Sequence, residues 1–212
     1  MLEIVSAAKP YLEALYFLAG ILLVGGLGLT YRQVVLIKKD IRTRNERAAA
    51  EKAIEACDRY FCSYVPLNST FFHDRLKEKL GRYEGPIGDF SLSSIPDNLK
   101  DISLKRYKLH TWLPMMNQLE SISAFFMSGV ADECAGFRVI GRTFCGSVES
   151  SYDLISISRQ EKACPYWANT VDLYQLWRPR LTKAEMEIAK ENIEHELSSI
   201  SARTISPIGV AG

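Results

Sequence analysis

The stretch ALYFLAGILLVGGLGLTY, residues 14–31, carries no charged side chain and runs directly into a cluster of Arg and Lys. At about 1.5 Å per residue it is long enough to cross roughly 30 Å of hydrocarbon. Backbone N–H and C=O groups in lipid need internal partners, so the stretch predicts a transmembrane helix. A cleaved signal peptide would carry its positive charge first and small residues at a cleavage site afterwards. Here Lys9 is offset by Glu3 and Glu13, and the run ends in Leu29, Thr30, Tyr31 and Arg32. A buried core helix rarely stays free of charge for so long.

The flanks predict orientation. Arg32, Lys38, Lys39, Arg42, Arg44 and Arg47 follow the span, against Asp40 and Glu46. Cations close to a span are held in the cytoplasm, which places residues 1–13 outside and the remainder inside. Arg32, Lys38, Lys39, Arg42 and Arg44 are the expected contacts with anionic lipid head groups, at about 1 kcal/mol per cation near the surface. Tyr11, Tyr16 and Tyr31 sit towards the ends of the run, where amphipathic rings favour the interface.

Roughly 180 residues follow the span, enough for one domain core. With 26 Lys and Arg against 25 Asp and Glu, the net charge is +1, so the basic excess that nucleic-acid binding requires is missing. Cys57, Cys62, Cys134, Cys145 and Cys164 are odd in number and irregularly spaced, which in a reducing compartment reads as free thiols.

Residues 31–64 contain neither Gly nor Pro and are rich in helix formers, which predicts a basic membrane-proximal helix over 32–65, stopped by Pro66. A second helix is expected over 69–80, then a Gly-, Pro- and Ser-rich loop over 81–97 whose Gly88–Ile95 part is the best strand candidate. Asp97 is expected to cap a helix over 98–127, kinked at Pro114. The turn ADECAG precedes a helix over 137–158, and another covers 166–177, ending before Pro179. Thr182 and Glu185 read as a capping box, followed by Met186, Ala189, Ile193, Leu197 and Ile200 at helical spacing. The outer face of that last helix is acidic and has the sign to pair with the basic segment, its apolar stripe packing back on it. The expected class is therefore all-α: a transmembrane helix over 14–31 continuing into a cytosolic helical bundle, with a helical domain over 66–203 and a flexible tail over 204–212.

Chemistry is harder to find. His195-Glu196 lacks the second His of a zinc H-E-x-x-H helix, because position 199 is Ser. Arg106 and His110 stand at i and i+4, close to the R-x4-6-H pattern of helical ribonucleases, although a surface pair on a cationic helix face explains them more simply. Asp132-Glu133 is the most suggestive carboxylate pair, and capping of the next helix accounts for it. Tyr166, Trp167, Tyr174 and Trp177 form an aromatic group that reads as a core face before it reads as an interface. Gly25, Gly26 and Gly28 lie inside the span, where they permit close helix packing and hold no phosphate. No cofactor or metal site emerges. Candidates for a partner site or pocket are Arg106, His110, Asp132, Glu133, Trp167 and Trp177.

N-x-L-E-x-I at residues 117–122, S-G-V-A-D-E at 128–133 and L-Y-x-L-W at 173–177, behind a span and a basic rod, resemble a bacterial family of unknown function. Its members are short proteins with one N-terminal span and a helical cytoplasmic region. The resemblance implies a bacterial inner-membrane protein and brings no catalytic residues with it. The favoured reading is a membrane-anchored module that binds a protein partner, associates with itself, or senses a change at the inner membrane. The competing readings are a tethered effector enzyme such as a nuclease, and a membrane-perturbing effector that oligomerises through its span.

Overall fold

The structure is a computed structural model that describes residues 2–160 and 165–199. Side-chain packing is described for residues 11, 13–160 and 165–196. Cys164, positions 197 and 200 of the last apolar stripe, and the tail at 204–212 therefore lie outside it. Every regular element among the described residues is helical. The chain divides into two units, Met1–Ala49 and Ala50–Gly212.

In the first unit the described residues all belong to helix α1 (Leu2–Arg59). Leu15, Phe17, Leu18, Ile21, Leu23 and Val24 are exposed. At 100° per residue these positions point to every side of the helix, and a helix apolar all round suits an apolar surround, not water. This is the one helix among the described residues long and apolar enough to cross a membrane. Farther along, exposed ion pairs one turn apart decorate the surface, Arg42–Glu46 and Arg44–Asp40, each at 2.9 Å.

The second unit buries one continuous core. The end of α1 contributes Ala53, Ala56 and Cys57 to it. Pro66 does not stop the chain here. Residues Tyr60–Tyr64 form a π-helical turn, in which Val65 N–H reaches back five residues to the Tyr60 carbonyl, and α2 (Val65–Lys77) follows without a break. In an α-helix the Pro66 ring would strike the carbonyl four residues earlier, and the wider turn relieves that clash. The same turn points both Tyr60 and Tyr64 inward, their rings stacked 4.9 Å apart.

The Gly88–Ile95 strand candidate is a loop with a 3-10 turn at Leu92–Ser94. Asp89 accepts hydrogen bonds from Ser91 N–H at 3.2 Å and from the Ser91 and Ser94 hydroxyls, so local side-chain bonds replace a ladder. Helix α3 (Asp97–Tyr107) begins at Asp97 itself, which pairs with Lys100 at 2.6 Å. The expected single helix over 98–127 is two: α3 ends at Tyr107 and α4 runs Trp112–Met127. Pro114 is the third residue of α4, where its missing N–H would have had no helical partner anyway.

Helix α5 (Glu133–Ser150) starts four residues earlier than its apolar pattern predicts, because Asp132 caps it, accepting from Ala135 N–H at 3.0 Å. Ser151 then breaks the expected 137–158 helix into α5 and α6 (Tyr152–Ser158). The last two expected helices are one, α7 (Ala168–Ser199), with Pro179 inside it. Thr182 forms no capping box; its hydroxyl bonds the Arg178 carbonyl one turn back, in the helix interior. The cost of Pro179, about 3 kcal/mol, is offset by burial of Val171, Leu173, Tyr174 and Trp177 ahead of it. Helices α4 and α5 both pack on that buried part of α7. From Lys183 to Glu196, α7 is exposed on all sides, with Met186 at 67% and Ile193 at 57%. Met186 and Ile193 of the expected stripe are exposed, and Glu194 pairs along the helix itself with Lys190 at 3.7 Å.

Candidate functional site

The start of α7 is unusual. Trp167, the residue before it, has φ of +60°, a left-handed conformation that a bulky side chain adopts at a cost of order 1–3 kcal/mol. Its side chain cannot cap the helix as Ser or Asp would. Glu120 does so instead, reaching across from α4. Its Oε1 accepts from Asn169 N–H at 3.1 Å and from the Asn169 side-chain amide at 2.8 Å. Its Oε2 accepts from Thr170 N–H at 2.8 Å and the Thr170 hydroxyl at 2.7 Å. A carboxylate at this end also meets the positive pole of the helix dipole.

With the cap supplied from elsewhere, the Trp167 indole forms one wall of a pocket of about 880 Å³. Tyr107 and Trp112 line it too, their rings 4.8 Å apart, and the rings of Trp112 and Trp167 meet edge to face at 6.2 Å. Trp112 Nε1–H is used up on the Tyr107 carbonyl at 2.7 Å, which closes the turn between α3 and α4. Trp167 Nε1–H is buried in the wall with no protein acceptor. Lys108, His110 and Asn117, all exposed, supply polar groups around the pocket. Its size and mixture of aromatic walls with a few polar groups match small-molecule sites, which run roughly 300–1,000 Å³.

The residues singled out from sequence separate into four places. His110 and Trp167 share the pocket. Glu133 accepts from Trp177 Nε1–H and from Arg180, tying the first turn of α5 to α7, while its neighbour Asp132 caps α5. Trp177 is fully buried against Phe126, Phe137 and Phe144. Arg32, Lys38, Lys39, Arg42 and Arg44 lie exposed on α1, in the first unit.

Arg106 is not half of a surface pair with His110. Its side chain is buried, and Nη1 donates to both oxygens of buried Asp153 at 2.8 and 2.7 Å, with Nη2 donating to the Ser150 carbonyl at 2.8 Å. His110 lies beyond the end of α3, so helical spacing no longer places it one turn above Arg106. Burial pushes the Asp153 carboxyl up and the Arg106 charge opposes it. This locked pair joins α3 to α6.

Several residues of the pocket were not singled out from sequence, among them Tyr107, Trp112 and Glu120, which shape it. Trp112 stands two residues from His110, and Glu120 is the acidic residue of the N-x-L-E stretch, so both lay beside signals already noted. Their convergence with Trp167 depends on contacts nearly fifty residues apart in the chain. No known protein family, curated protein or solved structure matches this chain.

Proposed function

We propose that this chain is a membrane-anchored helical module that acts by binding at the bacterial inner membrane. Residues 14–31 are the anchor, the N-terminus lies outside, and the domain built from residue 50 onward lies in the cytoplasm. The observation that carries the reading is the anchor's exposure on every side of α1, which leaves an apolar surface that water does not tolerate. The uncovered cations Arg32, Lys38 and Lys39 support cytoplasmic retention and contact with anionic lipid. A bacterial inner-membrane home rests on the sequence resemblance of the 117–122, 128–133 and 173–177 stretches alone.

Binding is favoured over catalysis by the state of the titratable groups. Glu120 is committed to the α7 N-terminus and Asp153 to Arg106, and His110 has neither beside it as an unengaged partner. The pocket then serves as the recognition or sensing site, and the exposed stretch of α7 with Met186, Ile188 and Ile193 as a surface for a protein partner or a second copy.

The test is extraction of membranes from cells expressing the full chain. The protein should stay with the membrane in alkaline carbonate and be released by nonionic detergent, and a variant lacking residues 1–31 should be soluble. A reporter fused after Gly212 should work in the cytoplasm only. Release of the full chain by carbonate, or periplasmic activity of the fusion, overturns the reading.

A further inference from the structure

The pocket beside Trp167 carries more information than its size. Its charged groups among the described residues are Lys108 and Glu120, with the His110 imidazole beside them. An aromatic-walled site containing a carboxylate would ordinarily be read as a cage for an organic cation. Here that reading fails on valence. A carboxylate offers about four acceptor sites, and Glu120 spends four on Asn169 and Thr170. Its charge is also balanced by the helix pole it caps. Nothing remains on it for a ligand cation.

Lys108 is the opposite case. It is exposed at the C-cap of α3 and makes no ion pair among the described residues, while facing the same pocket. Among the described residues the unengaged donors are therefore on Lys108, Asn117, His110 and the Trp167 indole N–H, and the walls are the rings of Tyr107, Trp112 and Trp167. Stacked or edge-on ring contacts favour a flat aromatic partner over a branched aliphatic one of equal area.

Resting on the binding-module reading, we propose that this pocket takes a flat aromatic or heteroaromatic ring bearing a negative group, with the ring against the indoles and the anion at Lys108. The strained backbone at Trp167 belongs to this site: it sets the indole as a wall when an ordinary cap residue would have left the space open.

Three probes of one size and different charge decide the matter: 1-naphthoate, 1-naphthalenemethanol and N-methylquinolinium. The full chain in a neutral detergent is titrated with each, and quenching of tryptophan fluorescence is read after subtracting protein-free micelles. Trp112 and Trp167 report the pocket, whereas Trp177 is buried in the core. Naphthoate is expected to bind about tenfold more tightly than the alcohol, the worth of one charge-assisted hydrogen bond. Lys108→Glu should erase that gap and leave the affinity for the alcohol within about twofold, since the residue is exposed and the walls are untouched. Tighter binding of the quinolinium, or a naphthoate preference that survives Lys108→Glu, overturns the ligand class while leaving a working pocket. Absence of quenching by all three overturns the pocket as a site altogether, and membrane anchoring is unaffected by either result.

Discussion

Replacing Glu120 by Gln changes one atom and should cost more stability than most surface substitutions. The carboxylate receives two donors on each oxygen, at 2.7–3.1 Å. A Gln amide keeps one carbonyl oxygen and presents an NH2 group on the other side. The Asn169 side chain can flip to offer its own oxygen, and the Thr170 hydroxyl can rotate, but a backbone N–H cannot reverse. In either amide orientation one backbone donor of the first α7 turn loses its acceptor, at about 1–3 kcal/mol. Loss of the charge at the helix pole adds roughly 0.3–1 kcal/mol. The expected total is about 1.3–4 kcal/mol, and for a domain of this size that lowers the midpoint by roughly 3–16 °C. Glu120→Ala should cost at least as much. Urea and thermal unfolding of the full chain in neutral detergent, followed by circular dichroism, would measure it. Glu187→Gln, on the exposed part of α7, serves as the control and should stay within about 0.5 kcal/mol of wild type. A Glu120→Gln variant equally close to wild type would refute the role assigned to this carboxylate.

Removing one partner of the buried Arg106–Asp153 pair should also be costly. Asp153→Ala strands a guanidinium that cannot neutralise itself and is expected to lose about 3–5 kcal/mol in urea unfolding. Arg106→Met should lose less, because Asp153 can take up a proton; with its folded-state pKa raised further, that variant should gain stability as pH falls from 7 to 5, the reverse being evidence against the pair. Gly136→Ala should destabilise despite the better helix propensity of Ala, by about 1–3 kcal/mol, because a Cβ there would lie 2.3 Å from Cε1 of buried Phe126; a stabilised variant would show that α4 and α5 are not in such close contact. Burial pushes the Cys145 thiol and the Tyr83 phenol up to about 12, and the Tyr64 and Tyr174 phenols also upward. The unfolded chain therefore releases these protons first, so stability should be full at pH 8 and fall as pH rises from about 9 towards 12, by up to about 1.4 kcal/mol per group per pH unit. An unchanged thermal midpoint between pH 8 and 11 would contradict that burial.

Features governed by near neighbours were legible in the sequence: the apolar run of α1, the helix-forming composition around it, and Asp132 as the cap of α5. Proline was the main source of error. Pro66, Pro114 and Pro179 read as two stops and a kink, yet one follows a π-helical turn, one falls where no N–H is needed, and one sits inside α7. For Pro66 and Pro179 the outcome depended on how the carbonyl one turn earlier could move and on what the surrounding helix buried, and for Pro114 on where α4 begins; none of these is read from the proline itself. The charged residues show the same division. Arg106 looked like part of a cationic face because its partner, Asp153, is 47 residues away. The stretches 117–122 and 128–133 contain clamps between helices: Glu120 holds the start of α7, and Glu133 holds Trp177. These contacts hold helices together and imply no reaction. The pocket was half visible, through His110 and Trp167, and the other half required α3, α4 and α7 to be assembled.

Two native thiols offer the most direct test of anchoring and orientation. Cys62 and Cys134 are free and exposed, whereas Cys57 and Cys145 are buried. With Cys164 replaced by Ser, a membrane-impermeant maleimide should leave the protein unmodified in intact bacterial spheroplasts and modify it at Cys62 and Cys134 in inverted inner-membrane vesicles. Modification in spheroplasts that matches the vesicles would place the domain outside the cell, and recovery of the protein in the soluble fraction before any labelling would remove the anchor on which the account rests.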